Sequence, residues 1–245
     1  MSKDQPMTVV EHLNDLRKTL IVSITAWLVL TGVAFFVYQD LIFDFLTLPL
    51  REMDLKLVIM TPFEGFMAKF KAAGFAGLIF ALPVILWQIW RFILPALKTK
   101  EKIYLLVIVP FSLLFFVCGV AFSYYYVLGV ALKFLIITAG SGFIPMLGAS
   151  KYLSFVTAML LPFGLVFQLP LAALFLARIG LINHKTMSQK RKYAIVLIFV
   201  IAAVLTPTPD IVTQSIMALP MILLYEISII VSWVFRKRKK SEQSM

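Results

Sequence analysis

Hydrophobic residues in this chain run in long unbroken blocks, set apart by short charged clusters. No charged residue occurs between Lys18 and Asp40, between Lys71 and Arg91, between Lys102 and Lys133, or between Lys151 and Arg178. Blocks of this kind, without the alternation of a half-buried strand, are the signature of successive bilayer crossings. Six segments follow: 20–38, 73–94, 103–126, 152–177, 193–205 and 211–235. A helix needs about 20 residues to cross about 30 Å of hydrocarbon. The first four and the last meet that length. The fifth does not, because only Ala194 to Leu205 is continuously apolar between Lys192 and Thr206, about 18 Å of helix. Either the bilayer thins there or the fifth and sixth segments form a shallow hairpin. A re-entrant fifth segment is the rival.

Basic residues decide the direction. With both ends cytoplasmic, 17 of the 23 Lys and Arg residues fall inside, including Arg17, Lys18, Arg91, the cluster Lys190–Lys192 and the tail cluster Arg236–Lys240. Arg51, Lys56, Lys69, Lys71, Lys133 and Lys151 fall outside. This is the bias of the positive-inside rule. A re-entrant fifth segment would expose the tail cluster on the far side, so it is rejected. Two far-side connections, 39–72 and 127–151, are long. The first carries five acids but also the apolar runs Leu41–Phe43 and Phe63, Phe66, Phe70, which predict short interfacial helices. Pro83, Pro110, Pro162, Pro170 and Pro220 lie inside spans, and each frees a carbonyl and bends its helix. The expected fold is all-α: a polytopic membrane protein of six transmembrane helices in a curved, cupped arrangement, N-in and C-in. It is read as a single membrane domain over 1–245 with a basic tail at 236–245.

Composition agrees. The chain of 245 residues is 61% hydrophobic and 14% charged, with a mean hydropathy of +0.96. Soluble domains are about a quarter charged. The net charge of +11 would suggest nucleic acid in a soluble protein. Here the charges stand at span ends and in the tail, where topology accounts for them, so no nucleic-acid partner is expected. The first 19 residues have acids and no apolar core, so the first span is expected to direct insertion. A single cysteine, Cys118, leaves no disulfide or thiolate metal site within one chain.

The chemistry is sparse. His12 and His184 flank spans, no pair of aspartates lies within them, and no phosphate-binding Gly-rich loop or metal-spaced cluster occurs. No catalytic, nucleotide or metal site is expected. Gln168 and Glu226 each lie ten residues before a basic span end, about 15 Å deep. Gln168 reads either as an interhelical packing amide or as a polar point on a binding surface. Glu226 is either a functional carboxylate or one protonated or paired within the fold. On the basic cytoplasmic face, Glu11 and Asp15 share a helix face, and Glu101 is the lone acid of the loop around Lys98–Lys102. These acids either meet a cationic ligand or pair with adjacent lysines.

Several motifs resemble one family. They are Glu11-His12-Leu13-Asn14-Asp15-Leu16-Arg17-Lys18, Trp90-Arg91-Phe92-Ile93-Leu94-Pro95-Ala96-Leu97 with Glu101, and Tyr152-Leu153-Ser154-Phe155. Further along come Phe167-Gln168-Leu169-Pro170, Lys190–Tyr193, Leu205-Thr206-Pro207-Thr208-Pro209-Asp210 with Gln214, and Pro220-Met221 with Tyr225-Glu226. In this order, over about 8–235, they resemble TatC, the multispanning subunit of the twin-arginine protein translocase. The resemblance implies recognition of twin-arginine signal peptides. It also implies transport of folded proteins, driven by the proton-motive force, in a multimeric complex with small single-span subunits of the TatA/TatB type. It places signal binding on Asp15, Arg17, Phe92, Pro95 and Glu101, with the acids accepting charge-assisted bonds from two guanidinium groups. It places partner-helix docking at Thr206 and Gln214. Three positions depart from the family pattern: Asp15 stands where Glu is frequent, Gln168 cannot ionise, and Thr208 interrupts a Thr-Pro-Pro-Asp run. The alternative is a secondary transporter with Gln168 and Glu226 lining a midplane site, against which the absence of an internal repeat counts. An intramembrane hydrolase lacks its catalytic residues.

Overall fold

The computed structural model describes residues 9–93, 103–139, 146–178, 180, 182, 184–206 and 210–234. Its helices are α1 (Val9–Arg51), α2 (Pro62–Ile93), α3 (Ile103–Phe122), α4 (Leu128–Ala139), α5 (Ala149–Val166), α6 (Leu169–Arg178), α7 (His184–Gln189), α8 (Arg191–Leu205) and α9 (Ile211–Val234). Two short strands, β1 (Leu57–Val58) and β2 (Leu147–Gly148), pair in parallel. The all-α expectation holds apart from that one pair. Five helical stretches among the described residues are long and apolar enough to cross a bilayer: Val10–Arg51, Pro62–Phe92, Ile108–Thr138, Ala149–Ala177 and Ile211–Val234. At 15 residues, α8 reaches about 22 Å and remains the short segment that its sequence predicts. The chain divides into two compact units, residues 1–114 with 146–154, and residues 115–145 with 155–245.

In the first unit, α1 and α2 pack antiparallel along most of their length. The less exposed residues of α1 start at Asp15 and recur at Thr19, Ser23, Ala26, Leu30 and Ala34, one helical stripe. Opposite lie the small residues Ala73, Ala76 and Gly77 of α2. A Cβ on Gly77 would lie 2.6 Å from both the Cα and the N of Thr31, so the two backbones touch there. Lipid offers no hydrophobic drive to bring helices together, so small residues and close packing do so instead. The Trp27 indole N–H donates to the Gly74 carbonyl at 3.0 Å on the same seam.

The connection expected at 39–72 is much shorter. Leu41–Phe43 belongs to α1, and Phe63, Phe66 and Phe70 belong to α2; neither run forms a separate interfacial helix. The helices outlast their apolar blocks, and the charges beyond those blocks pair, Lys69 of α2 with Asp40 of α1 at 2.6 Å and Arg51 with Asp44 within α1. The start of α2 is written in Thr61-Pro62-Phe63-Glu64. Thr61 Oγ1 accepts the Glu64 N–H at 3.2 Å, proline fills the first helical position, and Glu64 accepts the Met60 N–H at 3.0 Å. This arrangement is a capping box shifted by one residue. The Lys71 ammonium donates to Ser150 Oγ at 2.8 Å, to Ser154 Oγ at 2.7 Å and to the Ser150 carbonyl at 3.3 Å. That contact ties α2 to the first turn of α5.

In the second unit, α3 passes through one π-helical turn, Ser123–Val127, directly into α4. The expected 127–151 connection is therefore helical as far as Ala139. Lys133, the one charge there, is too little to end an otherwise apolar helix. The core is Val127, Ala131, Met159, Phe163, Ile198, Ala202, Met217, Ala218 and Met221. Two glycines bring α3 onto α5. A Cβ on Gly119 would lie 2.6 Å from the Phe163 carbonyl oxygen, and one on Gly164 would lie 2.6 Å from the Phe116 ring. Ser123 Oγ donates to the Met159 carbonyl at 3.1 Å on the same face.

Helix α9 begins at Asp210, whose carboxylate accepts the Thr213 N–H at 2.6 Å. Asp210→Ala is expected to remove this N-cap and lower stability by about 1 kcal/mol. Thermal unfolding of the detergent-purified protein measures it; an unchanged midpoint would show that the cap carries no weight. Large apolar side chains such as Phe36, Val204 and Ile211 stand exposed on the helices. Water would not tolerate that surface, but hydrocarbon does.

Candidate functional site

The N-terminal end of α1 meets the C-terminal end of α2 in the first unit. There the rings of His12 and Phe92 stack, centroids 4.4 Å apart and planes 20° from parallel. Asp15, three residues on from His12, is half-buried, while Arg17 is exposed. Positions three apart on a helix are neighbours on one face, so Asp15 lies on the seam with α2 rather than on the open side. Its carboxylate accepts hydrogen bonds only and fits a cationic donor. Pro95 and Glu101 lie outside the described residues. The structure thus brings Asp15 and Phe92 to the same end of the α1–α2 pair. It adds His12, which the sequence marked only as flanking a span. The available signal was its spacing: three before Asp15 on one helix.

Gln168 lies in a two-residue break between α5 and α6. Pro170 explains the break, because it lacks the N–H that would bond the Val166 carbonyl. Around it the chain still bonds, Gln168 N–H to the Leu165 carbonyl at 3.0 Å and Ala172 N–H to the Gln168 carbonyl at 2.8 Å. The side chain is half-buried.

Glu226 is paired: the Arg191 guanidinium donates to its carboxylate at 2.8 Å. Of the readings open from sequence, pairing within the fold is the one observed. The pair fastens the start of α8 to α9. Next to it, the Tyr225 hydroxyl donates to the Met187 carbonyl at 2.9 Å and secures α7 as well.

Thr206 and Gln214 flank the turn between α8 and α9. Thr206 is buried and ends α8, its N–H bonded to the Ala202 carbonyl at 2.8 Å. The Gln214 side-chain amide donates to the Phe199 carbonyl at 2.8 Å, bracing α9 on α8. Among the described residues no group of three His, Cys, Asp or Glu side chains converges as a metal site.

Comparison with known proteins gives one answer. The family model described as Sec-independent protein translocase protein (TatC) matches residues 11–220. A Sec-independent protein translocase protein TatC from Carboxydothermus hydrogenoformans is 39% identical over 239 residues, 98% of either chain. That of Aquifex aeolicus is 38% identical over 244 residues, 97% of this chain and 99% of its own. A crystal structure of the twin arginine translocase receptor TatC matches with a TM-score of 0.80 at 39% identity, covering 91% of this chain and 98% of that one. A second crystal structure of that receptor, in DDM, gives a TM-score of 0.82 at 38% identity. The family match, the near-complete coverage and the shared helical fold together establish that this multi-pass membrane chain belongs to the TatC family of Sec-independent protein translocase proteins.

Proposed function

We propose that this chain is the twin-arginine signal-peptide receptor and scaffold subunit of its translocase. The observation that carries this reading is the likeness to a solved twin arginine translocase receptor, 39% identical over 91% of this chain. Asp15 and Glu101 accept charge-assisted bonds from the two signal arginines, Phe92 and Pro95 shape the surface beside them, and Arg17 helps place the N-terminal segment. The planar guanidinium fork matches a carboxylate in a way that an ammonium does not, which is the physical basis for preferring arginine over lysine. Small single-span subunits of the TatA/TatB type dock along the short α8–α9 hairpin near Thr206 and Gln214. The chain has six spans, with α8 as the fifth, both termini cytoplasmic, and it resides in the cytoplasmic membrane. The proton-motive force drives transport, and no catalytic step is assigned to the chain itself.

The test is a titration of a twin-arginine signal peptide against the purified protein, beside a twin-lysine peptide and the variant Glu101→Ala. Glu101→Ala is expected to weaken twin-arginine binding by about 1–3 kcal/mol, the scale of a lost charge-assisted bond. Equal binding in every combination overturns the receptor reading. Gln168→Leu in the same assay should leave peptide binding intact.

A further inference from the structure

We infer that His12 is a positioning residue for signal reading: its ring, stacked on Phe92, holds the first turns of α1 against the end of α2 and so fixes where Asp15 presents its carboxylate. The inference rests on the receptor reading above and adds a residue to it.

Among the described residues, the apolar side chains in the first turns of α1 are not buried against the protein. Val10, Leu13, Leu16 and Leu20 are all exposed, and Asp15 and Thr19 are the less exposed positions between them. Such a helix end frays unless side-chain contacts tie it down. The ring pair at 4.4 Å and 20° is such a contact, made at the very end of α2. Asp15 follows His12 by three residues, a rise of about 4.5 Å with a rotation back to the same face. Any swing of the helix end about the α2 seam therefore carries Asp15 with it. A carboxylate that must meet a guanidinium fork tolerates little such movement. The Asp15 carboxylate stands only one methylene from its Cα, so its reach depends on where its helix stands.

The acting feature is the ring face, not the imidazole charge, and the experiment separates the two. Full-length protein in detergent is titrated with a labelled twin-arginine signal peptide, with a twin-lysine peptide as control. His12→Ala is expected to weaken twin-arginine binding about three- to tenfold, the loss of one ring pair. His12→Phe, which keeps a stacking ring and removes the titratable nitrogens, should bind within about twofold of the parent. His12→Leu, which keeps apolar bulk without a ring face, should fall with His12→Ala. In an Asp15→Asn background His12→Ala should add no further loss, because a positioning residue has nothing left to position. A general structural role would instead let the two losses multiply. The positioning role is overturned if His12→Ala binds like the parent, if His12→Phe fails to rescue, or if the losses multiply. If the parent itself does not distinguish the two peptides, the receptor reading fails instead.

Discussion

Gly77→Ala is expected to destabilise the α1–α2 pair by about 3 kcal/mol, at the upper end of what overpacking costs, while Gly74→Ala one turn away stays within about 1 kcal/mol of the parent. The two substitutions add the same methyl to the same helix, so propensity cancels and the surroundings decide. At Gly74 nothing lies within 4 Å of the new Cβ, whereas at Gly77 it meets the Thr31 backbone, with Cα and N both 2.6 Å away. A flexible side chain could turn aside; a helix backbone must translate as a body. That shift would open the seam on both sides, where Ala34, Ala73 and Ala76 pack against each other. Since these contacts replace the hydrophobic drive that lipid does not supply, little else compensates. Unfolding midpoints of the two variants in one detergent check the prediction. Equal midpoints would mean that the helices do not approach at Gly77.

The crossings were legible because the bilayer writes its thickness into the hydropathy pattern, and Gly77 shows what that pattern omits. A run of apolar residues reports where hydrocarbon lies, not where a helix stops. Hence Asp40, Asp44 and Lys69 read as loop residues, although α1 and α2 run through them past the apolar block. Lys133 misled in the same way, and α4 runs through it. For the site, the face shared by Glu11 and Asp15 was readable from spacing alone, whereas the proposed roles of Phe92, Pro95 and Glu101 came from family resemblance. The stacking of His12 on Phe92 was hidden, because it depends on the register of two helices far apart in sequence. Partners of deep polar groups were hidden for the same reason. Polarity flagged Glu226 and the family resemblance flagged Gln214, but only the packed hairpin shows Arg191 on the first and the Phe199 carbonyl on the second.

In the second unit, Phe163→Ala carries the other large effect. Phe163 is fully buried at the centre of the core, its ring 6.0 Å from that of Phe122. In a water-soluble protein this truncation costs about 3–5 kcal/mol, partly transfer of the ring from water and partly the cavity left behind. Within a bilayer the transfer part shrinks, because the alternative surroundings are lipid rather than water. The cavity part remains, since the lining atoms lose their dispersion partners whatever the solvent outside. Relaxation is blocked on one side. Gly119 already brings α3 against the Phe163 backbone and the Phe167 side chain, so α3 cannot slide further in. The expected loss is therefore about 2–3 kcal/mol, below the aqueous range yet well above that of a lipid-facing ring. Phe111, which is 51% exposed, supplies the control, and Phe111→Ala should change stability by less than about 1 kcal/mol. The unfolding midpoints of the two variants decide. If they fall equally, interior and lipid-facing rings are worth the same, and the core contacts around Phe163 do not hold the second unit together.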